Sequence, residues 1–284
     1  MKLAAILNEC GLSAAEYRKV YGGDINECYR VELRRERFFL KLNEADRYPE
    51  MFSKEKAGLD ALRSAGTIRV PEVLACGVVA DTQFLLLEWL QPGLPTSGGW
   101  EQFGQKLAQI HLQQEGWFGW EDDNYIGSLR QRNTKMHDWA TFYSECRILP
   151  LVGLLLQEKA FGARERRAAE SLARRLNSLY PSEPSSLLHG DLWSGNFLFT
   201  ESGNVALIDP AVYRGHREMD MAMTRLFGGF DPRFYSAYEE VFPLEKKWED
   251  RLALSQLYPV LVHAVLFGGH YVAEARKILE KYSG

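Results

Sequence analysis

The chain has 284 residues, of which 46% are apolar and 25% are charged, a composition typical of soluble globular proteins. This length allows one large two-lobed domain or two small domains with a substantial core. The formal net charge of −4 and the pI near 5.9 provide no electrostatic field to attract nucleic acid or an anionic membrane. Neither partner is therefore expected.

No pattern in the sequence is typical of a targeting segment, a membrane span or paired cysteines. No stretch reaches the ~18 uninterrupted apolar residues that a membrane span requires. Residues 1–10 meet an acid at Glu9 and predict an amphipathic helix rather than a signal peptide, so a cytoplasmic location is expected. No CxxC pair indicates a zinc site or a disulfide framework. The four cysteines are Cys10, Cys28, Cys76 and Cys146.

The first 90 residues carry mostly strand patterns. A glycine turn at 20–26 separates two strands, and in the second strand Tyr29, Val31 and Leu33 alternate with charged residues. A third strand is predicted over 36–42 and a helix over 50–65, with Phe52, Leu59 and Leu62 on one face. Two further strands are predicted at 72–79 and 83–89. Three strands, a helix and two strands are the order of the small lobe of a kinase fold.

Helical periodicity dominates after the proline and glycine cluster at 91–95, which is the predicted lobe boundary. We therefore expect an α+β, two-lobed, protein-kinase-like fold. A nucleotide-binding lobe (1–90) with an antiparallel sheet and one main helix precedes a larger, mainly helical lobe (91–284) for catalysis and acceptor binding. The predicted helices of the large lobe cover 100–111, 139–159, 164–179 and 248–281, and its short strands cover 187–189, 197–200 and 205–208.

An Asp-Asn-Asp set lies in the predicted large lobe. Asp191 and Asn196 belong to the loop His189-Gly190-Asp191-Leu192-Trp193-Ser194-Gly195-Asn196, and Asp209 ends the apolar run Ala206-Leu207-Ile208. In kinase-like enzymes the first Asp of such a set receives the proton of the attacking hydroxyl. The Asn and the second Asp hold magnesium on the nucleotide phosphates. The sequence therefore predicts a phosphotransferase with Asp191 as the catalytic base, Asn196 and Asp209 as metal ligands, and ATP and Mg²⁺ as cofactors.

Two side chains of the small lobe fit the nucleotide site. Lys41 ends an apolar strand, and Glu55 follows fourteen residues later on the predicted helix. In kinases such a Lys contacts the α and β phosphates and pairs with such a Glu. Both are also common surface residues, and Glu50 competes with Glu55. The Asp-Asn-Asp set makes the nucleotide-binding interpretation the favoured one.

Backbone groups complete the predicted ATP site. Gly22 and Gly23 either form an ordinary hairpin turn or let backbone amides approach the phosphates without an intervening Cβ. The carbonyl of Glu88 and the amide of Leu90 are candidates to contact adenine, because they occupy the position of a kinase linker.

Candidate acceptor residues lie in the catalytic loop and downstream of it. Trp193 is either a core residue or a ring face suited to stacking on a sugar, whereas His189 is expected to be a buried scaffold residue. His216, Arg217 and Glu218 open an apolar helix and so need partners, either as acceptor ligands or as braces of the loop. Asp220 is expected to brace the catalytic loop through its backbone amides.

These residues together resemble the fructosamine kinase family, the ketosamine-3-kinases, a branch of the aminoglycoside-phosphotransferase-like kinases. Residues 189–196 are similar to its HGDLWxGN loop, and residues 209–220 are similar to its DPAxYxGHREhD segment, h being apolar. Residues 118–127, Trp139 and Arg147 resemble its intervening stretch. Some relatives carry a Cys in the glycine turn where this chain has Asp24, so no redox switch is expected there and Cys28 is interpreted as an inert thiol.

The resemblance implies an ATP-dependent kinase that phosphorylates the C3 hydroxyl of a ketosamine and so promotes deglycation of amines and proteins. Fructosamine, ribulosamine and erythrulosamine adducts stay open as substrates, both as small molecules and on glycated proteins. One alternative is a small-molecule kinase of the aminoglycoside or choline kinase type that acts on another alcohol. A second is a non-catalytic nucleotide-binding protein, which is disfavoured because no catalytic position is lost.

Overall fold

A five-stranded antiparallel sheet forms the first part of the chain. The computed structural model describes residues 2–20 and 25–284, so the predicted glycine turn with Gly22 and Gly23 lies outside the described residues. The predicted order of three strands, a helix and two strands is confirmed, and the strands lie side by side in the order β1-β2-β3-β5-β4. The elements are α1 (Lys2–Glu9), β1 (Glu16–Val20), β2 (Glu27–Leu33), β3 (Glu36–Glu44), α2 (Met51–Ala65), β4 (Val73–Val79) and β5 (Thr82–Glu88).

Side-chain alternation along β3 separates a core face from a cleft face. Leu40 and Leu42 are buried in one apolar cluster with Ile6 and Leu7 of α1. Lys41 lies between them in sequence and therefore projects from the opposite face of the sheet. On that side α2 buries Phe52, Leu59 and Leu62, the three residues that the sequence assigned to its apolar face.

Helices dominate the rest of the chain. The helices are α3 (Ser97–His111), α4 (Trp139–Phe142), α5 (Leu149–Gln157), α6 (Ala163–Leu179), α7 (Glu218–Leu226), α8 (Pro232–Val241), α9 (Leu252–Phe267) and α10 (His270–Ser283), with a π-helical segment at Tyr143–Ile148 and a 3₁₀ turn at Trp248–Arg251. The short strands are β6 (Gln114–Glu115), β7 (Asn124–Ile126), β8 (Leu129–Gln131), β9 (Ser185–Leu188), β10 (Phe197–Phe199), β11 (Val205–Leu207) and β12 (Tyr213–Gly215). These strands pair as β10-β11, β12-β9-β6 and β7-β8.

Two helical predictions differ from the structure in detail. The stretch 248–281 is not one helix, because Gly268 and Gly269 interrupt it with φ values of 64° and 60°, a conformation that favours glycine. The helix over 139–159 is continuous but contains the π-helical segment. Helix α8 and the β7-β8 hairpin were not predicted, because α8 buries only three apolar residues and the hairpin strands have three residues each.

The Pro and Gly cluster at 91–95 lies between the end of β5 and the start of α3. The division of the chain into domains at residue 90 stays a prediction. Within residues 2–20 and 25–284, no helix is both long enough and apolar enough to cross a bilayer. The cytoplasmic location likewise stays a prediction.

Candidate active site

A cleft of about 820 Å³ lies between the sheet and the helical part of the chain. Its volume falls within the range of small-molecule sites. Of the residues predicted from the sequence, those that line it are Lys41, Glu55, Glu88, Leu90, Asp191, Trp193, Asn196 and Asp209.

The catalytic loop is a tight turn between β9 and β10. The amide of Asn196 donates to the carbonyl of Trp193 at 3.0 Å. The side-chain nitrogen Nδ2 of Asn196 donates to the Asp191 carbonyl at 2.8 Å and to Asp191 Oδ2 at 2.9 Å. Asp191 and Asn196 therefore hold each other at one point of the cleft, as their spacing predicted.

His189 joins this loop to the segment after β11 that carries Asp209. The ring nitrogen Nε2 lies 3.0 Å from the carbonyl of Ile208, and the amide of Asp191 lies 3.3 Å from Nδ1. This bonding assigns Nε2 as the protonated nitrogen, with Nδ1 accepting from Asp191. Burial lowers the pKa of His189, so the ring is a neutral, buried scaffold residue as the sequence predicted.

Asp209 has an unusual backbone conformation. Its φ is 53°, a left-handed value that is costly for a non-glycine residue and more so before a proline, here Pro210. Two hydrogen bonds hold the segment, from Ile208 N to Asn196 O at 3.0 Å and from Ala211 N to His189 O at 2.9 Å. Backbone strain of this kind is typical of functional sites.

Gly190 is required by the close approach of these two segments. A Cβ at this position would lie 2.0 Å from the carbonyl oxygen of Ala211, and the φ of Gly190 is 84°. Any side chain here would separate the catalytic loop from the Asp209 segment. The sequence interpretation gave Gly190 no role, although it lies inside the motif.

Lys41 lies between two carboxylates. Its Nζ is 2.7 Å from Glu55 Oε1 and also contacts Asp209 Oδ1. Burial alone would lower the pKa of Lys41, but Asp209 and Glu55 together raise it. Lys41 is therefore a fixed cation at the junction of the sheet, α2 and the Asp209 segment, and Glu55 rather than Glu50 is its partner.

The pKa of Asp191 suits a proton acceptor. Burial raises it to about 7, the hydrogen bond from Asn196 works in the opposite direction, and the charges of Asp209 and Asp220 add to the increase. A general base is most effective when its pKa lies near the working pH. The Asp191 carboxylate thus combines a location in the cleft with a matched affinity for protons.

The predicted adenine contacts also lie in the lining of the cleft. Leu90 is buried, and Glu88 ends β5 with its side chain 3.1 Å from Arg69 Nη2. The amide of Glu88 donates to the Glu72 carbonyl at 3.0 Å. Both residues line the cleft, and their role as backbone ligands stays a prediction.

Asp220 braces the catalytic loop in the way the sequence suggested. Its carboxylate accepts from His189 N at 2.7 Å and from Gly190 N at 2.9 Å. His111 Nε2 lies 3.3 Å from the same carboxylate, and Tyr238 OH lies 2.8 Å from His111 Nδ1. His111 and Tyr238 were not recognised from the sequence, because they come from α3 and α8, which lie far from the loop along the chain.

The other polar residues of this segment do not line the cleft. Arg217 is buried and donates to both carboxylate oxygens of Glu183 at 2.9 Å. Glu218 is buried against the guanidinium of Arg251, and His216 packs on the ring of Tyr180 with the ring centroids 5.0 Å apart. None of these three residues lines the cleft, and their predicted role, as acceptor ligands or as braces of the loop, stays a prediction. A charged side chain can be neutralised by a buried counter-ion or by a ligand. The sequence pattern does not distinguish these two cases.

Trp193 is half-buried and lines the cleft. Its indole lies over Gly195, where a Cβ would approach the ring to 2.4 Å. The edge of the ring packs on Phe227, with centroids 5.6 Å apart. The loop and Phe227 thus fix one side of the indole. The close contact with the loop explains why residue 195 is a glycine.

Further cleft residues were missed by the sequence interpretation. One wall is formed by the β7-β8 hairpin with Tyr125 and Gly127, and another by α9 with His263 and Phe267. His263 Nδ1 lies 2.7 Å from the Pro259 carbonyl, and burial lowers the pKa of His263. No local motif marks these residues, since the hairpin and the helix meet only in the folded chain.

A buried polar network gives the intervening stretch a physical explanation. Asn124 Nδ2 donates to the Val212 carbonyl at 2.8 Å, and Gln131 Nε2 donates to the Ala211 carbonyl at 3.0 Å. Arg147 is fully buried in the π-helical segment, and its Nη2 donates to Asn133 Oδ1 at 2.8 Å. The network therefore fixes the hairpin to the backbone that follows Asp209.

Comparisons with known proteins agree with this geometry. Residues 3–283 match the family model described as fructosamine kinase. The chain is similar to a probable ketoamine kinase of Enterococcus faecium, with 36% identity over 284 residues that cover 99% of this chain and 100% of that protein. It is also similar to the solved structure of a putative fructosamine-3-kinase from Haemophilus somnus. There the TM-score is 0.88 at 28% identity, and 99% of this chain and 96% of that chain are covered.

A more distant likeness concerns the fold alone. A spectinomycin phosphotransferase, solved in complex with ADP and spectinomycin, has a TM-score of 0.59 at 14% identity and covers 99% of this chain and 92% of its own. The predicted α+β, two-lobed, protein-kinase-like fold is confirmed. The family model matches nearly the whole chain, and Lys41, Glu55, Asp191, Asn196 and Asp209 line one cleft. The chain therefore belongs to the fructosamine kinase family of ATP-dependent phosphotransferases.

Proposed function

We propose that this protein uses ATP to phosphorylate the C3 hydroxyl of a ketosamine. The observation that carries the proposal is the position of Asp191, which shares one cleft with the Lys41 cation and with the indole of Trp193. Asp191 accepts the hydroxyl proton, the hydroxyl oxygen forms a bond to the γ-phosphorus, and the bond from that phosphorus to the β-γ bridging oxygen breaks. ADP carries away the electron pair of the broken bond.

Lys41 is the proposed contact for the α and β phosphates. Glu55 and Asp209 fix its ammonium group from two sides, so the cation is in place before the nucleotide arrives. The backbone of Glu88 and Leu90 is the proposed contact for adenine. The proposed nucleotide lobe (1–90) therefore supplies the cation, and the proposed catalytic lobe (91–284) supplies the base.

Asn196 and Asp209 fit a magnesium ion by the chemistry of their donors. Mg²⁺ prefers oxygen ligands and usually combines one or two protein groups with substrate phosphates and water. The Asn196 amide nitrogen is used by Asp191, which leaves the amide oxygen as a ligand, and the Asp209 side chain is 47% exposed beside Lys41. The ion would neutralise phosphate charge that opposes approach of the hydroxyl. Chelation with EDTA should abolish turnover, and added Mg²⁺ should restore it.

The acceptor end of the cleft suits a sugar. Trp193 offers a ring face, which is the usual partner of the apolar face of a pyranose or an extended ketose. His263 Nδ1 is occupied by the Pro259 carbonyl, so its Nε2 is available to accept a hydrogen bond from a hydroxyl or an amine. Such a pocket discriminates against ligands that leave its polar groups unpaired.

The chemical consequence of the reaction is deglycation. A phosphate at C3 is a good leaving group once the ketosamine enolises toward C1. Elimination then releases inorganic phosphate, and hydrolysis of the resulting imine frees the amine and a sugar fragment. The enzyme would thereby repair glycated amines, including those on proteins.

The decisive experiment measures ADP release with erythrulosamine, ribulosamine and fructosamine adducts of one amine. The matched acceptors are free ribulose, choline and an aminoglycoside. We expect kcat/KM for at least one ketosamine to exceed that for every matched acceptor by about 10²-fold or more, since lost hydrogen-bond partners are costly in a polar pocket. Equal efficiency on ribulose and ribulosamine would favour a kinase for another alcohol.

A further inference from the structure

Helix α9 presents an apolar stripe to the cleft. The stripe follows the i, i+3, i+4, i+7, i+8 spacing of one helix face. Its members, called the α9 stripe below, are Pro259, Val262, His263, Leu266 and Phe267.

Exposure increases along the α9 stripe toward solvent. Val262 is buried, His263 and Leu266 are half-buried, and Phe267 is 58% exposed. Among the described residues, other large apolar side chains are also exposed, but Phe267 is the one of them that lines the cleft. The stripe therefore leads from the inside of the active site to its mouth.

The end of the stripe is a built aromatic surface. The ring centroid of Phe267 lies 5.5 Å from that of His263, which lies 5.1 Å from Phe227 and 4.9 Å from Tyr271. Helix α9 ends directly after Phe267 at the positive-φ pair Gly268 and Gly269. A large exposed aromatic on the wall of a cleft is costly in water, and such surfaces mark binding sites.

The charged side chains that line the cleft, which also include Arg47, Lys54 and Glu88, come from parts of the chain other than α9. Lys41, Glu55, Asp191 and Asp209 surround the proposed phosphate position, and the α9 stripe contains no carboxylate, lysine or arginine. A group that extends from the reacting sugar along this wall would meet hydrocarbon and aromatic rings, with Nε2 of His263 as the polar atom among them. A Cβ on Gly127 would lie 3.2 Å from Leu266 Cδ1, so the hairpin packs against the stripe at Leu266.

We infer that the α9 stripe binds the hydrocarbon substituent on the amine of the ketosamine, such as the side-chain stem of a glycated lysine. This inference rests on the proposed function. In a ketosamine the amine is attached at C1, so with the C3 hydroxyl at Asp191 the substituent must extend out of the cleft. The five steps from Val262 to Phe267 rise about 7.5 Å along the helix axis, which is comparable with an extended four-carbon stem.

The test varies the amine and keeps the sugar constant. Ketosamines of ammonia, ethylamine and butylamine are prepared in the sugar series that gives the highest turnover, and kcat/KM is measured for each. Full burial of one methylene corresponds to roughly a fourfold gain, and burial on one side to roughly twofold. We therefore expect about a tenfold increase from the ammonia adduct to the butylamine adduct.

Variants assign that gain to the stripe. Phe267→Ser should reduce the increase to about threefold or less, and Phe267→Leu should retain most of it. Leu94→Ser is the matched control, since Leu94 is 83% exposed and lies outside the cleft lining. It should leave the increase at its full value. Thermal unfolding of each variant confirms that the fold is kept.

Three outcomes would overturn the inference. Flat kcat/KM across amines on an enzyme that phosphorylates all three ketosamines would reject the stripe as a subsite and leave the proposed function intact. An equal increase in Phe267→Ser and Leu94→Ser would reject the assignment to Phe267. Absence of turnover with every ketosamine, while ATP still binds, would reject the proposed function and the inference with it.

Discussion

The two ends of the cleft are built by different physical means. At the phosphate end, Lys41 and Asp191 are held by ion pairs and hydrogen bonds to partners in other elements, such as Glu55 and Asn196. At the acceptor end, Trp193 and Phe267 are held by ring packing, and their exposed faces point to the cleft. The proposed phosphate end therefore presents charges fixed by their partners, whereas the proposed acceptor end presents ring surface.

This difference predicts that the two ends tolerate substitution differently. Removing one member of a buried polar network leaves its partners unsatisfied, which costs more than the lost contact. Trimming a half-exposed aromatic side chain removes contact area and leaves no unsatisfied group. Substitutions should therefore act on kcat at the phosphate end and on acceptor KM at the other end.

The largest expected effect is that of Asp191→Asn. The asparagine keeps a carbonyl oxygen for the hydrogen bond from Asn196, so the loop geometry should persist, but it cannot accept the hydroxyl proton. We expect kcat to fall by about 10²–10⁴-fold with ATP affinity unchanged by calorimetry. Asp81→Asn, at an exposed turn, serves as control. Near-native turnover of the Asp191 variant would show that the reaction does not depend on Asp191 as the proton acceptor.

Arg217→Leu tests whether the His216–Glu218 segment belongs to the acceptor end after all. Arg217 donates to Glu183 and to the carbonyls of Phe242 and Pro243 at 2.7 Å. Breaking a buried pair leaves an uncompensated charge, so we expect the free energy of unfolding to decrease by about 3–5 kcal/mol. Urea denaturation measures this decrease. Unchanged stability together with a raised ketosamine KM would return Arg217 to the acceptor pocket.

The sequence identified the residues that meet at the proposed phosphate end, because their pattern consists of short spacings along the chain. Asp191 and Asn196 lie on one loop, and Lys41 and Glu55 lie on adjacent elements. The acceptor end was predicted only through Trp193, since His263 and Phe267 come from a helix that approaches the loop only in three dimensions. For the segment around Arg217 the sequence left two roles open, because a polar string before a helix gives the same pattern whether its partners are a ligand or buried counter-ions such as Glu183.

The pH dependence of stability tests whether His216 is a buried residue or an exposed ligand of the acceptor end. Burial lowers the pKa of His216 to about 4, whereas the unfolded residue titrates near ~6.5. Between these values the unfolded chain binds a proton that the folded chain does not, so the free energy of unfolding falls as the pH falls. The loss approaches roughly 3 kcal/mol near pH 4.

His216→Gln should flatten this part of the profile. Urea denaturation of both proteins at pH 7.5, 6 and 5 gives the difference between them. We expect that difference to shrink as the pH falls, because the variant lacks the group that titrates. His189 shifts in the same direction but is present in both proteins. Parallel profiles would show that burial does not hold His216 neutral. That result is the one expected of an exposed acceptor ligand.

The smallest expected effect is that of Trp193→Ala on the acceptor. The indole packs against Gly195 and against the ring of Phe227. Loss of the indole therefore removes a preformed ring face from the cleft. An aromatic contact contributes about 0.5–1.5 kcal/mol beyond its buried area. We therefore expect the ketosamine KM to rise by about 2–10-fold while the KM for ATP stays constant.

Two variants make this expectation specific. Trp193→Phe keeps a ring and should recover most of the acceptor affinity, whereas Trp117→Ala removes an indole outside the cleft lining and should leave both KM values unchanged. Steady-state kinetics with each substrate varied in turn distinguishes the two ends of the cleft. If Trp193→Ala raised the KM for ATP as much as that for the ketosamine, the aromatic end would also serve the nucleotide. The division between a polar phosphate end and an aromatic acceptor end would then be wrong.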